Sequence, residues 1–199
     1  MGLATFIGGI HPFEGKELSE DKPIKYLEPL QGEVMVYPLS QHIGAPAKPL
    51  VAKGDHVLKG QIIAEAGGFI SANVLSSVSG TVKGIESKLV ANGAMVQSIL
   101  VENDGEEEAI EGFGTDRDAS KLSKEEIRQI VKDAGIVGLG GAGFPTHVKL
   151  TPKDENAIDY VIVNGAECEP YLTSDYRTMI ERPEQIIGGL KVMLQLFDN

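Results

Sequence analysis

Glycine and lysine residues near the middle of the chain have the types and spacing that suit a phosphate-bearing ligand. Five glycines fall within nine residues: Gly135, Gly138, Gly140, Gly141 and Gly143. A segment with so few side chains lets backbone N–H groups approach a bulky anion closely. A helix that opens near Thr146 would direct its positive end at that anion, and Lys149, one turn later, could pair with it. Residues 135–145 are called the glycine loop below.

A second polar segment follows about twenty residues later. Residues 164–170, Asn-Gly-Ala-Glu-Cys-Glu-Pro, come directly after the apolar run 160–163, which predicts a strand. In open α/β sheets, ligand crevices form where polar turns follow the carboxyl ends of strands. The alternatives are a plain flexible turn for the glycine loop and a solvated acidic turn here.

An all-β domain is predicted before the glycine loop. Short apolar runs alternate with glycine turns at 34–37, 50–51, 57–58, 62–64, 69–70, 78–82 and 99–101. The turns at Gly54 and Gly60, followed by residues 79–82, are similar to those of biotinyl and lipoyl carrier domains, which predicts a small barrel-sandwich hybrid. The place of the carrier lysine is taken by residues 66–70, which contain no lysine. We therefore expect a scaffold or docking module rather than a covalent cofactor carrier.

Helical patterns surround the glycine loop. Ser123 with Glu126 forms a capping box, which predicts a helix over 124–133 that Gly135 stops. A second helix is expected from about Thr146 and another from Pro183. The last helix carries an apolar stripe expected to face a core: Ile186, Leu190, Met193, Leu194 and Phe197.

Composition restricts the function class. The formal net charge is −11, which argues against nucleic-acid binding and against attraction to an anionic membrane surface. Residues 102–118 carry eight acids against Arg117, a pattern more typical of a solvated linker than of a docking patch. Cys168 is the sole cysteine, which excludes an internal disulfide and a cluster held by four thiolates of this chain. The chain start lacks a basic export signal, and we expect no membrane insertion. His11, His42 and His56 show no metal-ligand spacing.

Residues 135–146 and 164–170 together resemble the RnfC component of the Rnf electron-transport complex and, more distantly, the flavin-bearing NADH-oxidising subunit of respiratory complex I. The resemblance extends through residues 8–12 and 54–61. It implies a mixed α+β chain, with the all-β barrel-sandwich hybrid followed by part of an α/β flavin- and NADH-binding domain. We accordingly expect an extended lead at 1–30, the barrel at 31–104, an acidic linker at 105–122 and the first part of the flavin domain at 123–199. Family members continue further, with a module for two [4Fe-4S] clusters.

The resemblance also implies the site residues. Non-covalently bound flavin mononucleotide (FMN) would contact the backbone of four loop glycines, Gly138, Gly140, Gly141 and Gly143. Lys149 and Asn164 would bind on its phosphate and ribityl side, with Glu167 close to the flavin. Phe144 and Glu169 would face NADH. Leu139 departs from the family pattern, since complex I subunits typically carry arginine there.

The resemblance implies a peripheral subunit of an ion-translocating ferredoxin:NAD oxidoreductase. Such a protein would lie at the cytoplasmic face of the cell membrane, with the other complex subunits, ferredoxin and NADH as partners. Hydride transfer to flavin depends on stacking geometry, so we name no catalytic acid or base. We expect the chain by itself to be inactive and to bind flavin weakly. The alternatives are a non-catalytic scaffold and a soluble relative that serves an amino-acid reductase.

Overall fold

The computed structural model describes residues 12–197, which divide into two compact units. One unit holds residues 12–26 and 160–191, and the other holds 27–159 and 192–197. Residues 8–11 of the 8–12 motif and the first eleven residues of the predicted lead lie outside the described residues. These two units do not coincide with the predicted domains, so they do not test the predicted domain boundaries, which stay predictions.

The larger unit contains the predicted all-β domain. Its strands are β1 (Val34–Pro38), β2 (Lys48–Pro49), β3 (His56–Val57), β4 (Ile62–Glu65), β5 (Val74–Leu75), β6 (Gly80–Leu89) and β7 (Met95–Asn103). They form two antiparallel sheets, one in the order β1-β7-β6-β3 and the other in the order β2-β4-β5. β6 and β7 form a long hairpin that pairs from Gly80↔Asn103 to Leu89↔Met95.

Inward-facing apolar side chains hold this domain together. Val57, Ile63, Ile99 and Val101 are fully buried in one cluster. Gly54 and Gly60 both adopt a positive φ, as turn glycines do, which fits the two turn signals in the sequence. The barrel therefore has a core of its own.

Three details of the predicted strands are wrong. β2 lies two residues before the expected run at 50–51, and the two-residue strand β5 was not expected. Residues 69–70 form a bend rather than a strand, and Phe69 is exposed. The reason is local, because Gly67 and Gly68 turn the chain there and apolar content alone does not make a strand.

The predicted acidic linker is not wholly detached from the barrel. Lys59 N–H donates to the Glu108 carbonyl oxygen at 2.8 Å, and Ile110 N–H donates to the Lys59 carbonyl oxygen at 3.1 Å. Residues 108–110 thus extend along the turn before β4, although most of 105–118 is exposed.

Four α-helices lie within the described residues: α1 (Lys124–Asp133), α2 (Thr146–Lys149), α3 (Ser174–Glu181) and α4 (Pro183–Leu194). Short 3-10 helices occur at Lys16–Leu18, Ala119–Lys121 and Glu155–Ala157. The capping box of Ser123 and Glu126 is confirmed, and so are the stop at Gly135 and the start of α4 at Pro183. Local sequence signals therefore located the helix ends well.

A second apolar cluster lies in the larger unit. Ile127, Leu150 and Leu196 are buried together, and Met193 and Phe197 pack partly buried against them. Leu196 is fully buried, although the predicted stripe did not include it. Leu194 belongs to the predicted stripe but is 47% exposed. The chain leaves helical geometry after Leu194, so the periodicity no longer assigns the buried positions there.

The predicted strand at 160–163 is absent from the structure. These residues have no regular secondary structure, and Tyr160 and Ile162 are 84% and 85% exposed. A strand needs a neighbouring strand for its backbone hydrogen bonds, and none of the described strands pairs with this segment. None of the helices in residues 12–197 has the length and apolarity that a bilayer span requires.

Candidate functional site

The glycine loop is closed at its base by backbone pairing. Val137 and Pro145 form an antiparallel bridge, Gly138 N–H donates to the Phe144 carbonyl oxygen at 2.9 Å, and Thr146 N–H donates to the Ile136 carbonyl oxygen at 2.9 Å. Pro145 is fully buried beneath this closure. The glycine-rich segment is therefore an ordered loop with a fixed base rather than an open linker.

The far side of the loop is attached to the barrel. Ile43 N–H donates to the Ala142 carbonyl oxygen at 3.0 Å. His42, next to it, is buried, and its Nε2 accepts the Ala72 N–H at 3.2 Å. The proton must then lie on Nδ1, which donates to the Ile43 carbonyl oxygen at 3.1 Å. The Ile43–Ala142 bond ties the loop to the segment after β1, while the Ala72 N–H and the Ile43 carbonyl oxygen orient the His42 ring.

Four of the five loop glycines fall into two groups. Gly135 and Gly143 have positive φ angles of 62° and 64°, and a Cβ on either would lie within 3 Å of backbone atoms. These two are required by the fold itself. Gly140 and Gly141 have no positive φ, and a Cβ on either would meet no atom of the described residues within 4 Å. The chain's own packing gives no reason for glycine at these two positions, whereas close approach of a ligand would.

Three of the predicted site residues converge beside this open part of the loop. A Cβ added at Gly138 would lie 3.1 Å from the Lys149 ammonium nitrogen, and that nitrogen is 5.8 Å from the centroid of the Phe144 ring. Lys149 is exposed and Phe144 is partly buried. The loop thus combines backbone, a positive charge and an aromatic face in one place.

His147 contributes little positive charge to this group. Burial, with repulsion from Lys132 as a smaller cause, lowers the pKa of His147 below its ordinary value of 6.5. The imidazole is then neutral at neutral pH. Lys149 is the cation that the loop offers to an anion.

A cavity of about 950 Å³ opens between the glycine loop and the barrel. Its loop side is formed by Val137, Gly138, Leu139 and residues 141–143, and its barrel side by segments of residues 36–43 and by residues 89–92. This volume lies at the upper end of the range that small-molecule and cofactor sites occupy. The barrel residues were missed by the sequence reasoning, although the polar run Ser40-Gln41-His42 after an apolar strand was a signal for them.

The second predicted segment belongs to the other compact unit. One Glu167 carboxylate oxygen accepts the backbone N–H groups of Asp175 and Tyr176 at 2.9 and 3.0 Å, at the start of α3. Asn164 Oδ1 accepts the Ala166 N–H at 2.9 Å within its own turn. Glu169 is exposed. Glu167 therefore has a structural partner of its own, an arrangement that favours a carboxylate because the N-terminus of a helix is positive.

Two family models match the chain on either side of the acidic segment. Residues 4–106 match the model described as the RnfC barrel sandwich hybrid domain. The chain belongs to the RnfC family. Residues 131–199, which include the glycine loop, match the model described as the Nuo51 FMN-binding domain. The predicted fold class and the predicted family are both confirmed, and FMN is the cofactor that the second model names.

Curated relatives agree with this assignment. The chain is 44% identical over 98% of its length to the C subunit of the proton-translocating ferredoxin:NAD(+) oxidoreductase complex of Clostridium ljungdahlii, covering 42% of that protein. It is 43% identical over 96% of its length to the Na(+)-translocating counterpart of Acetobacterium woodii, covering 43% of that protein. It is also 43% identical over 94% of its length to the C subunit of the ion-translocating oxidoreductase complex of Rhodobacter capsulatus, covering 36% of that protein. The chain thus spans less than half the length of these relatives.

Proposed function

We propose that the glycine loop binds FMN non-covalently. The observation that supports this most directly is the grouping of Gly138, Phe144 and Lys149 beside open space in a segment that matches an FMN-binding domain. The backbone of Gly138, Gly140 and Gly141 would contact the cofactor. Gly143 would act by fixing the loop against the barrel, since its Cβ position is filled by backbone.

The phosphate of FMN would lie on the Lys149 side of the loop. Among residues 12–197, those that line the cavity include no lysine, arginine, aspartate or glutamate, so a phosphate there would have no counter-charge from them. α2 has only one turn, which makes its helix dipole a small contribution. The Lys149 ammonium would therefore supply most of the attraction.

The residues assigned from the resemblance in the second segment remain part of the proposal. Asn164 would bind FMN through its amide, and Glu167 would act close to the flavin while holding the start of α3. Phe144 and Glu169 would contact NADH. Bound flavin would supply the two-electron chemistry that NADH oxidation needs, while the chain supplies binding and orientation.

At the level of the whole protein, we propose the N-terminal part of a subunit of an ion-translocating ferredoxin:NAD oxidoreductase. The named relatives are components of such complexes, which supports other complex subunits as partners. NADH and ferredoxin as electron partners, and a peripheral position at the cytoplasmic face of the membrane, follow from the same likeness. The scaffold alternative is not favoured, because an FMN-binding model matches residues 131–199. The amino-acid reductase alternative is not favoured, because the named relatives are subunits of ion-translocating complexes.

A titration with two flavins tests the cofactor proposal. FMN and riboflavin differ by the phosphate alone, so Lys149→Ala should weaken FMN binding by about 1.5–3 kcal/mol, the scale of a hydrogen bond to a charged group, and leave riboflavin nearly unaffected. Flavin fluorescence and amide chemical shifts, followed up to millimolar flavin, would measure both. Lys153→Ala, an exposed lysine four residues away, is the matched control. Unchanged FMN affinity in Lys149→Ala, or an equal loss with both flavins, would refute the assigned role of Lys149.

A further inference from the structure

The barrel contributes one whole side of the cavity that the glycine loop borders. Two of its segments do so: residues 40–43, which follow β1 after Leu39, and residues 89–92, at the tip of the β6–β7 hairpin. Nothing in the FMN proposal assigns a role to either segment, because that proposal rests on the loop and on Lys149.

The chemistry of this side suits a flat, uncharged ring. The hairpin tip presents Leu89, Val90 and Ala91, which are aliphatic, and the polar side chains on this side are Ser40, Gln41, His42 and Asn92. Aliphatic surface favours a planar aromatic system, and amide groups can hydrogen-bond to the nitrogen and carbonyl atoms at its edge. Because the described part of the lining contains no lysine, arginine, aspartate or glutamate, the same surface disfavours a phosphate.

This side is also held in place before any ligand arrives. The Ile43–Ala142 hydrogen bond joins this segment to the loop, and the Ala72 N–H holds the His42 ring through Nε2. At the hairpin tip, Asn92 Oδ1 accepts the Ala94 N–H at 3.0 Å, and Val90 N–H donates to the Ala94 carbonyl oxygen at 2.9 Å. A wall preformed in this way loses little entropy when a rigid ring binds.

We propose that the barrel is part of the flavin site: residues 40–43 and 89–92 bind the isoalloxazine ring, while Lys149, which lies outside the cavity lining, binds the phosphate. This inference rests on the proposed FMN binding and extends it. The barrel-sandwich domain then acts as a ligand-binding wall in addition to any scaffold role, and Gln41 and Asn92 determine ring specificity.

Filling the cavity from the barrel side gives a sharp test. Ala91 lines the cavity and is exposed in the turn, so Ala91→Trp places an indole in the ring's position without disturbing the core. We expect a loss of affinity of roughly tenfold or more for FMN and riboflavin alike, since the indole would cover the aliphatic surface of the hairpin tip on which the ring would pack. Ala94→Trp is the matched control, because Ala94 is exposed in the same turn and does not line the cavity. It should retain affinity within about twofold.

Amide chemical shifts of the unmodified chain provide a second readout that needs no variant. Riboflavin should shift the resonances of residues 40–43 and 89–92 together with those of the glycine loop. Two outcomes would overturn the proposed ring position and leave the FMN proposal standing. One is shifted resonances in the loop without shifted resonances in the barrel. The other is unchanged flavin affinity in Ala91→Trp while Lys149→Ala weakens FMN binding. An absence of shifts in both the loop and the barrel at saturating flavin would overturn the FMN proposal itself.

Discussion

Replacing Gly143 by alanine should loosen the glycine loop from the barrel. Gly143 has φ +64°, and an added Cβ would lie 2.8 Å from the Gln41 carbonyl oxygen and 3.0 Å from the His42 Cα. Both atoms belong to backbone, so neither can rotate away as a flexible side chain would. Gly141, two residues earlier, has no positive φ and no atom within 4 Å of a Cβ, which makes Gly141→Ala the matched control.

The magnitude follows from the cheapest way to relieve the contact. A left-handed conformation costs an alanine about 1–2 kcal/mol. Moving the barrel backbone costs more free energy than releasing the loop from it. Release of the loop breaks the Ile43–Ala142 hydrogen bond, which contributes about 0.5–1.5 kcal/mol net. We therefore expect Gly143→Ala to lower the free energy of unfolding by about 1.5–3.5 kcal/mol. Gly141→Ala should change it by less than about 0.5 kcal/mol or stabilise slightly.

Urea unfolding and amide hydrogen exchange measure the two parts of this prediction. The unfolding midpoint reports the total loss, and exchange of the Ile43 N–H reports whether its bond to Ala142 is the contact that breaks. The reasoning is refuted if Gly143→Ala costs less than about 0.5 kcal/mol, or if Gly141→Ala costs as much as Gly143→Ala. Full protection of the Ile43 amide in Gly143→Ala would equally contradict it.

Three further predictions concern single side chains. The hydrogen bond from the Ser79 hydroxyl is the main cause that lowers the pKa of Asp104. The ionised Asp104 carboxylate therefore stabilises the folded state at pH values above its unfolded-state pKa near 3.8, and this stabilisation is lost as the pH falls through the lower folded-state pKa. Asp104→Asn should therefore flatten the fall of the urea midpoint between about pH 5 and pH 2.5, and an unchanged slope would contradict this. Glu167→Ala should cost about 0.5–2 kcal/mol of local α3 stability, measured by exchange of its first amides, while Glu167→Gln keeps an acceptor and loses less. Leu196→Ala should cost about 2–5 kcal/mol by denaturant unfolding, because Leu196 is fully buried, and a smaller loss would show that its cluster adds little.

The parts of the fold that sequence reasoning predicted correctly depend on neighbours along the chain. The Ser123–Glu126 capping box, the Gly135 stop and the start of α4 at Pro183 each involve residues within a few positions of one another. The strand runs of the barrel were recognisable because turn glycines with positive φ separate them. Local propensity is sufficient in these cases, since the backbone hydrogen bonds or the φ angles are decided within a few residues.

The expectations that failed needed partners distant in sequence. The run 160–163 has strand-forming residues, but a strand also needs a hydrogen-bonding neighbour, and the described strands supply none. Leu196 is buried through Ile127 and Leu150, which lie far back in the chain, so no helical period located it. The role of Glu167 at the start of α3, where its carboxylate accepts two backbone N–H groups, was likewise not predicted, and its assignment to the flavin stays a prediction.

The candidate site shows the same division. The sequence by itself determined the family, the cofactor class and the identity of Gly138, Phe144 and Lys149 as a group, because all three lie within twelve residues. Only the tertiary structure separated Gly143, which the fold requires, from Gly140 and Gly141, which it does not. Only the tertiary structure, too, brought residues 40–43 and 89–92 to the cavity, because they approach the loop through antiparallel pairing and packing rather than through sequence proximity.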